Sequence, residues 1–396
     1  MRHLTVLSAV LPIPALAYAQ PAALANAGIT IGLQDSETLL GAVTGGVKQG
    51  ATLQGTATAT LDIDTAKAFA LPGGTIHISA LQIHGRSLSP YYLADLQTTN
   101  GYEAEDTTRL WELWYDQSLP GGRADIKFGA QSIDNEFIVS QYSGLFVNTM
   151  AGWPMLPSAD LYGGGPAYPL AALGIRLRAA MSSHATALIG VFDDNPGGGM
   201  FTDDAQTLDE NGTRFNLNTG ALFIAELQVT ATPFAHLPGT YKAGLWYDTA
   251  TFPDQRFGNA LPHHGNVSLY GVIDQTIWRS ATDTARKLNF FARVMAAPAA
   301  QNLIDRSING GLTLASPLPG RDSDQAGLDI GIAHVSAGNA EALFELTYQA
   351  QATPWLVLQP DLQFIINPGA GIPDPADPAH RLSDEIIAGI RSTVTF

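Results

Sequence analysis

The 396-residue chain contains no cysteine. That excludes thiol catalysis, disulfide staples and cysteine-based zinc sites. Positive charge is also scarce: 20 Lys and Arg stand against 36 Asp and Glu, for a formal charge of −16. Nucleic-acid binding depends on Lys and Arg neutralising phosphates, so no nucleic-acid partner is expected. Charged residues of both signs make up only 14% of the chain, where about a quarter is usual for soluble domains. Beyond the N-terminal segment no apolar run reaches the roughly eighteen residues of a membrane-spanning helix. Yet hydrophobic residues amount to 45%. So apolar and so weakly charged a composition suits a surface partly facing something other than water.

The N-terminal stretch "MRHLTVLSAVLPIPALAYA" has a basic start at Arg2, an apolar run from Leu4 to Leu16, and Ala17-Tyr18-Ala19 as an A-x-A cleavage site. It reads as a secretory signal peptide over 1–19, with the mature chain starting at Gln20. Pro12 and Pro14 would break a buried helix there.

The rest of the chain has a period of two. In "ATLQGTATATLDID", Ala51, Leu53, Ala57, Ala59, Leu61 and Ile63 alternate with Thr52, Gln54, Thr56, Thr58, Thr60 and Asp62. This is a strand with one apolar and one polar face. "RADIKFGAQ" opposes Ile126 and Phe128 to Asp125 and Lys127, and in "ALFIAELQVTAT" Glu226, Gln228 and Thr230 share a face. The pattern predicts sixteen strands: 29–40, 50–63, 75–84, 107–117, 123–131, 172–180, 185–193, 220–231, 240–249, 265–278, 287–297, 307–316, 327–337, 341–352, 354–366 and 385–396. Most are near the nine to eleven residues that a tilted strand needs to cross a bilayer.

The connections largely alternate in length. "SLPGG" (118–122), "MSSH" (181–184) and Thr353 are tight, whereas 85–106, 132–171, 194–219, 250–264 and 367–384 are long; "SAGN" (336–339) is short where a long loop is due. In a meander this alternation gathers the long loops at one end, as in outer-membrane barrels with short periplasmic turns and long extracellular loops. The fold expected is all-β: a transmembrane antiparallel up-and-down β-barrel of sixteen strands, forming one domain over 20–396. A soluble β-sandwich or solenoid also alternates, but it explains neither the low charge nor the loop pattern.

Several long segments carry a family resemblance. "LWELWYDQSLPGG", "FGAQSIDNEFIVSQYSGLFVNTMAGWP", "YPLAALGIRLR", "GTYKAGLWYDT", "LPGRDSDQAGLDIGIAH" and "ELTYQAQATPWLVLQPDLQFIINPGAG" resemble the OprB-type carbohydrate-selective porins of Gram-negative outer membranes. The resemblance runs in order from about Gly28 to Phe396. It implies a sixteen-stranded barrel that passes sugars, and some polyols, by diffusion without covalent chemistry. Its expected partners are small neutral sugars, outer-membrane lipid and the barrel-assembly machinery, with the barrel a monomer or a homotrimer. The short "SAGN" connection departs from the family, where longer loops are common.

A sixteen-stranded barrel leaves an aqueous lumen, which selects only by size unless something narrows it. The longest loop, 132–171, is the candidate to fold inward, as the resemblance also suggests. It carries Asp134, Asn135, Glu136, Asn148, Trp153, Tyr168 and a Gly163-Gly164-Gly165 run, while 85–106 adds Arg86, Tyr91, Tyr92 and Glu103. Sugar hydroxyls both donate and accept hydrogen bonds, which suits carboxylates and the Arg fork, and sugar C–H faces suit aromatic rings. From the wall, Arg109, Glu112 and Asp116, then Arg123, Asp125 and Lys127, then Arg176 and Arg178 fall on neighbouring strands. The expected constriction set is Arg86, Arg109, Glu112, Arg123, Asp134, Glu136, Trp153, Tyr168, Arg176 and Arg178. The arginines and Lys127 would make the wall locally basic opposite Asp134 and Glu136, or would pair with neighbours to hold the loop.

Other motifs are weaker. Asp134 and Glu136 in "IDNEF" could mimic the paired acids of a glycosidase, which leaves a secreted soluble glycan-binding or glycan-hydrolysing protein as an alternative. The strong negative charge leaves a general or cation-preferring pore as another. The histidines show no H-E-x-x-H spacing, and His263-His264 reads as a solvated pair. "NPGGG" lacks the Lys of a phosphate loop, and Asp203-Asp204 and Asp209-Glu210 read as solvated clusters; no cofactor and no metal site is expected. Trp111, Trp114, Tyr115, Tyr247, Tyr348 and Trp355 lie near strand ends and are expected in the aromatic girdles, since a water-filled barrel leaves little core to pack. In the closing "EIIAGIRSTVTF", Ile386, Ala388, Ile390, Val394 and Phe396 should face lipid, and the strand should pair with the first because an open edge does not survive in lipid. Glu385, Arg391, Thr393 and Thr395 should face the lumen. Phe396 resembles the C-terminal insertion signal of outer-membrane barrels.

Overall fold

The computed structural model describes residues 21–396; the expected signal peptide lies outside them. Sixteen antiparallel strands close into one barrel, each paired with its sequence neighbours and β1 with β16. The first eight are β1 (Ile29–Thr44), β2 (Gly50–Asp64), β3 (Gly74–Gly85), β4 (Thr107–Ser118), β5 (Ala124–Gln131), β6 (Ala172–Ala180), β7 (Ala185–Asp193) and β8 (Ala221–Phe234). The second eight are β9 (Leu237–Asp254), β10 (Gly258–Arg279), β11 (Lys287–Ala296), β12 (Ile304–Ala315), β13 (Gln325–Val335), β14 (Ala340–Thr353), β15 (Leu356–Ile366) and β16 (Glu385–Thr395).

The alternation turns the usual layering inside out. On β13, Leu328, Ile330 and Ile332 are exposed on the outer wall, while Asp329 and Ala333 are fully buried inside. The apolar outer face meets hydrocarbon, so its exposure to the surroundings carries no hydrophobic penalty. On β16, Ile386 and Ile390 face outward, Glu385 and Ile387 are buried inside, and Phe396 is exposed. The seam closes the ring: β1 and β16 pair from Gln34 with Thr395 to Thr44 with Ile386, with one register shift between Ala42 and Thr44.

The connections following odd-numbered strands include 86–106, 132–171, 194–220 and 367–384, whereas those following even-numbered strands stay short. The expected long loop at 250–264 is corrected. β9 and β10 extend through it and turn over 255–257, with His263 paired to Phe252 and His264 to Thr251. The backbone saves its hydrogen bonds there by prolonging the ladder instead of breaking it.

The lumen is not simply water-filled. The segment 132–171 contributes Ile133, Phe137, Ile138, Trp153, Leu156 and Leu161 to a buried apolar cluster, joined by Leu188, Phe192, Ile224, Trp246, Val272 and Met295 of the wall. Burying side chains of this size contributes about 1.5–3 kcal/mol each. The expectation of little core therefore fails on this side of the barrel, which is packed solid between the inner segment and β7 to β11.

Candidate functional site

The inner segment is held chiefly by single charged side chains on the wall. Glu112 accepts the Ser132 amide at 3.0 Å, Glu226 that of Ile138 at 2.8 Å, and Asp274 that of Gln141 at 3.1 Å. Glu345 accepts the Val147 and Asn148 amides at 2.6 and 3.1 Å. Carbonyls are matched in turn: Lys242 donates to Val139 at 2.6 Å, and Arg293 donates to Gly152 at 2.7 Å and also to Met150. Backbone groups away from bulk water require such partners, and an ionised partner makes the bond stronger. The 86–106 connection is docked similarly, with the Leu96 and Gln97 amides each donating at 2.8 Å to Glu341.

The other side of the inner segment faces β4 to β6. There Arg176 is buried among Asp125, Glu136 (2.6 Å) and Asp116 (3.8 Å), Arg178 pairs with Asp125 at 2.9 Å, and Lys127 pairs with Glu136. Lys127 also lies over the Trp114 ring, 4.7 Å from its centroid, and His77 stacks on the same indole at 4.6 Å. Strand pairing explains the convergence: Asp116 sits opposite Lys127, Lys127 opposite Arg176, and Asp125 opposite Arg178. The wall is therefore not locally basic as expected. Asp116, Asp125 and Glu136 match Lys127, Arg176 and Arg178 charge for charge.

The side chains of Asp116, Glu136 and Arg178 remain 24%, 21% and 23% exposed, so groups of both signs stay partly accessible. Tyr168 closes the segment against the wall. Its hydroxyl bonds Thr56 at 2.9 Å, and its ring meets Tyr102 and Trp111 edge-on. Next to Tyr102, Arg391 packs over the ring at 4.5 Å and donates to Asn100 at 2.7 Å.

Residues 48–396 match the carbohydrate-selective porin, OprB family. The chain belongs to that family. It is 25% identical to Porin B of Pseudomonas aeruginosa over 335 residues, which cover 73% of this chain and 68% of that protein. Among solved structures, the high-pH structure of Pseudomonas putida OprB aligns with a TM-score of 0.82 at 20% identity, covering 95% of this chain and 96% of that one. OmpF from Salmonella typhi aligns with a TM-score of 0.56 at 10% identity, covering 94% and 99%. The family and the closed barrel place this porin in the outer membrane as a transport channel.

Within the porin, the residues singled out from sequence separate into groups. Glu136, Arg176 and Arg178 converge with Lys127 and Asp125, and Tyr168 stands beside Trp111. Glu112 spends its carboxylate on the Ser132 amide. Asp134 accepts the Ser132 hydroxyl at 2.6 Å and the Tyr168 amide at 3.0 Å, so it braces the segment from within. Arg109 is buried on another level and pairs with Asp209 of the 194–220 connection at 3.5 Å. Trp153 is buried inside the segment and donates to the Gly164 carbonyl at 2.9 Å. Arg86 is exposed over Tyr91, 5.3 Å from the ring, and Arg123 is exposed in the turn after β4; neither touches the charged cluster.

Titration follows burial and partners. Burial pushes the Asp134 carboxyl up, whereas for Glu136 the neighbouring Lys127 and Arg176 outweigh burial and hold it down. Burial raises the Tyr168 hydroxyl. Glu103, half-buried in the 86–106 connection, is pushed up to about 7 by burial despite bonds from Ser89 and Thr99.

Trp111 and Trp114 are corrected from girdle to lumen. β3 and β4 slip register between Ile78–Leu113 and Ala80–Leu110, so β4 carries an extra residue. Such a bulge flips side-chain parity, turning Arg109, Trp111 and Glu112 all inward. Tyr247 and Trp355 are exposed on the outside as expected. Sequence reading missed Lys242, Arg293 and Glu345 as anchors. Their signal was sparse charge on the polar faces of their strands: Lys242 with Asp248 on β9, Arg293 with Lys287 on β11, and Glu345 with Glu341 on β14.

Proposed function

We propose that this porin passes small neutral sugars into the periplasm by passive diffusion, glucose-like monosaccharides foremost and polyols with them. The supporting observation is the charge-balanced cluster of Lys127, Arg176 and Arg178 with Asp116, Asp125 and Glu136. Partly exposed donors and acceptors of both signs suit hydroxyls, which need both, and favour an ion of neither sign. Contacts of this kind are individually weak, so a solute is recognised and still released. Tyr102, Tyr168 and Trp111 add apolar ring surface beside Arg391.

Liposome swelling tests the reading. Glucose should enter faster than an amino acid of similar size and much faster than a disaccharide. Rates that scale only with size would reject sugar selectivity. The net charge of −16 favours a second reading, a cation-preferring pore, and a strongly cation-selective reversal potential with no sugar preference would support it instead.

Export completes the proposal. Residues 1–19 are removed on secretion, and Phe396 is presented to the barrel-assembly machinery. N-terminal sequencing of the mature protein should begin at Gln20.

A further inference from the structure

Glu341 on β14 and Glu385 on β16 are both fully buried on the inner face, at the barrel end that carries the long connections. Glu341 spends its carboxylate on three amides, those of Leu96, Gln97 and Gly369, at 2.8, 2.8 and 2.7 Å. Glu385 accepts nothing. Among the described residues it is the one buried carboxylate with both oxygens lacking a hydrogen-bond partner. Its surroundings do not solvate it: Leu343, Ile365 and Glu385 form one cross-strand row, and the two aliphatic members belong to a buried apolar cluster with Leu93 and Ile387.

The groups that do reach this point are acidic. Asp95 of the 86–106 connection accepts the Ser89 hydroxyl on Oδ2 at 3.3 Å, and its Oδ1 is buried without a partner. Burial pushes the Asp95 carboxyl well above its ordinary value, and the neighbouring Glu341, Glu385 and Glu103 push it further. Among the described residues no Lys, Arg or His pairs with any of these four carboxylates. Lys48, in the turn whose Gly46 backs onto Glu385 Oε1, lies over the Tyr92 ring instead. Buried polar atoms normally have partners, and a buried charge needs an opposite one.

We propose that Asp95 and Glu385 bind a calcium ion, which clamps the 86–106 connection to the rim of the barrel. The free donors are carboxylate oxygens, which suit a hard divalent cation, and two of them match its charge. Among the described residues no three acidic, His or Cys side chains gather as a ready metal cage. Backbone carbonyls and water therefore complete the shell, an irregular set that calcium accepts and magnesium does not. So few charged ligands put the affinity at about 0.1–1 mM, the range of extracellular calcium modules. Glu103 takes no part, since Ser89 and Thr99 already occupy its carboxylate.

The test uses the purified porin in detergent, stripped with EDTA and titrated with calcium chloride by isothermal calorimetry. The wild type should bind one calcium per barrel, and so should Glu105→Gln, which alters an exposed acid of the same connection. Glu385→Gln and Asp95→Asn, checked for heat-modifiable migration, should each weaken binding about tenfold or more. Trypsin reports the clamp. Cleavage after the exposed Arg86 should slow several-fold when calcium replaces EDTA in the wild type, and should not slow in either variant. If one variant fails to fold, the other still decides. A wild type that binds no calcium, with Arg86 cut at one rate in both buffers, overturns the proposal and leaves the pair to hold protons. Binding retained at full strength by the folded variants overturns it too, by placing the ion on other acids.

Discussion

Glu345 and Val147 are joined at 2.6 Å, a wall carboxylate on β14 accepting a backbone amide from the middle of the inner segment. The same carboxylate takes the next amide, from Asn148. Replacing Glu345 by Ala leaves two buried N–H groups without a partner, at about 1–3 kcal/mol each. The segment should loosen while the barrel persists. The expected outcome is faster disaccharide entry in liposome swelling, with a heat-modifiable band still present.

Arg176 neutralises carboxylates from three elements: Asp116, Asp125 and Glu136. Removing one partner of a buried ionic cluster costs about 3–5 kcal/mol, because the remaining charges stay unpaired. Arg176→Ala should turn the constriction acidic and shift the reversal potential toward cation preference, with slower glucose entry. Arg178→Ala, a more exposed site with one carboxylate partner, should do the same more weakly.

Glu103 gives a pH signature. Its folded value of about 7 lies above the ordinary 4.5, so the folded chain binds more protons than the unfolded one between these two values. Stability from this group is therefore present at low pH, is lost progressively as pH rises from about 4.5 to about 7, and is absent above. Glu103→Gln should be relatively more stable than the wild type at pH 8 than at pH 5 in heat-modification gels, and the 86–106 connection should flicker less at pH 8 in single-channel recordings.

Tyr168 ties the end of the inner segment to Thr56 of β2 at 2.9 Å. Tyr168→Phe removes the bond to Thr56 and a longer one that the hydroxyl donates to the Tyr102 carbonyl at 3.4 Å, each worth about 1 kcal/mol, and keeps the ring contacts with Trp111 and Tyr102. Single-channel noise should rise while mean conductance stays near wild type. Tyr168→Ala, which also removes the rings, should raise conductance.

Most of the architecture was legible because lipid outside and polar groups inside impose a strict period of two. The strand starts at Ile29, Gly50, Thr107, Ala172, Ala185 and Glu385 fall within a residue of the periodicity. What the period cannot carry is a change of phase. A single extra residue in β4 turned Trp111 inward, against the parity that Tyr115 still obeys. Nor does parity report depth: Arg109 and Arg176 both point inward, yet one meets Asp209 near the mouth and the other Glu136 at the inner segment. The basic wall was misread for the same reason, since Asp116 and Asp125 become neighbours of Arg176 only through strand pairing. Glu37 and His84 were open to view in "LQDSE" and "QIHG"; only cross-strand register brings them together, at 2.7 Å.

The seam between β1 and β16 also sets a timetable. Ser36 and Thr393 share a hydrogen bond across 357 positions of sequence, so closing the ring joins residues very far apart along the chain. Loop closure over such a span must precede any reward from pairing, which makes folding slow and exposes unpaired edges meanwhile. The ring has no stable partial form, because fifteen strands leave two raw edges in lipid. Deleting Phe396 should therefore act on yield rather than on throughput: fewer barrels reach the membrane, and those that close conduct normally. Quantifying folded protein per cell beside single-channel conductance would separate the two effects.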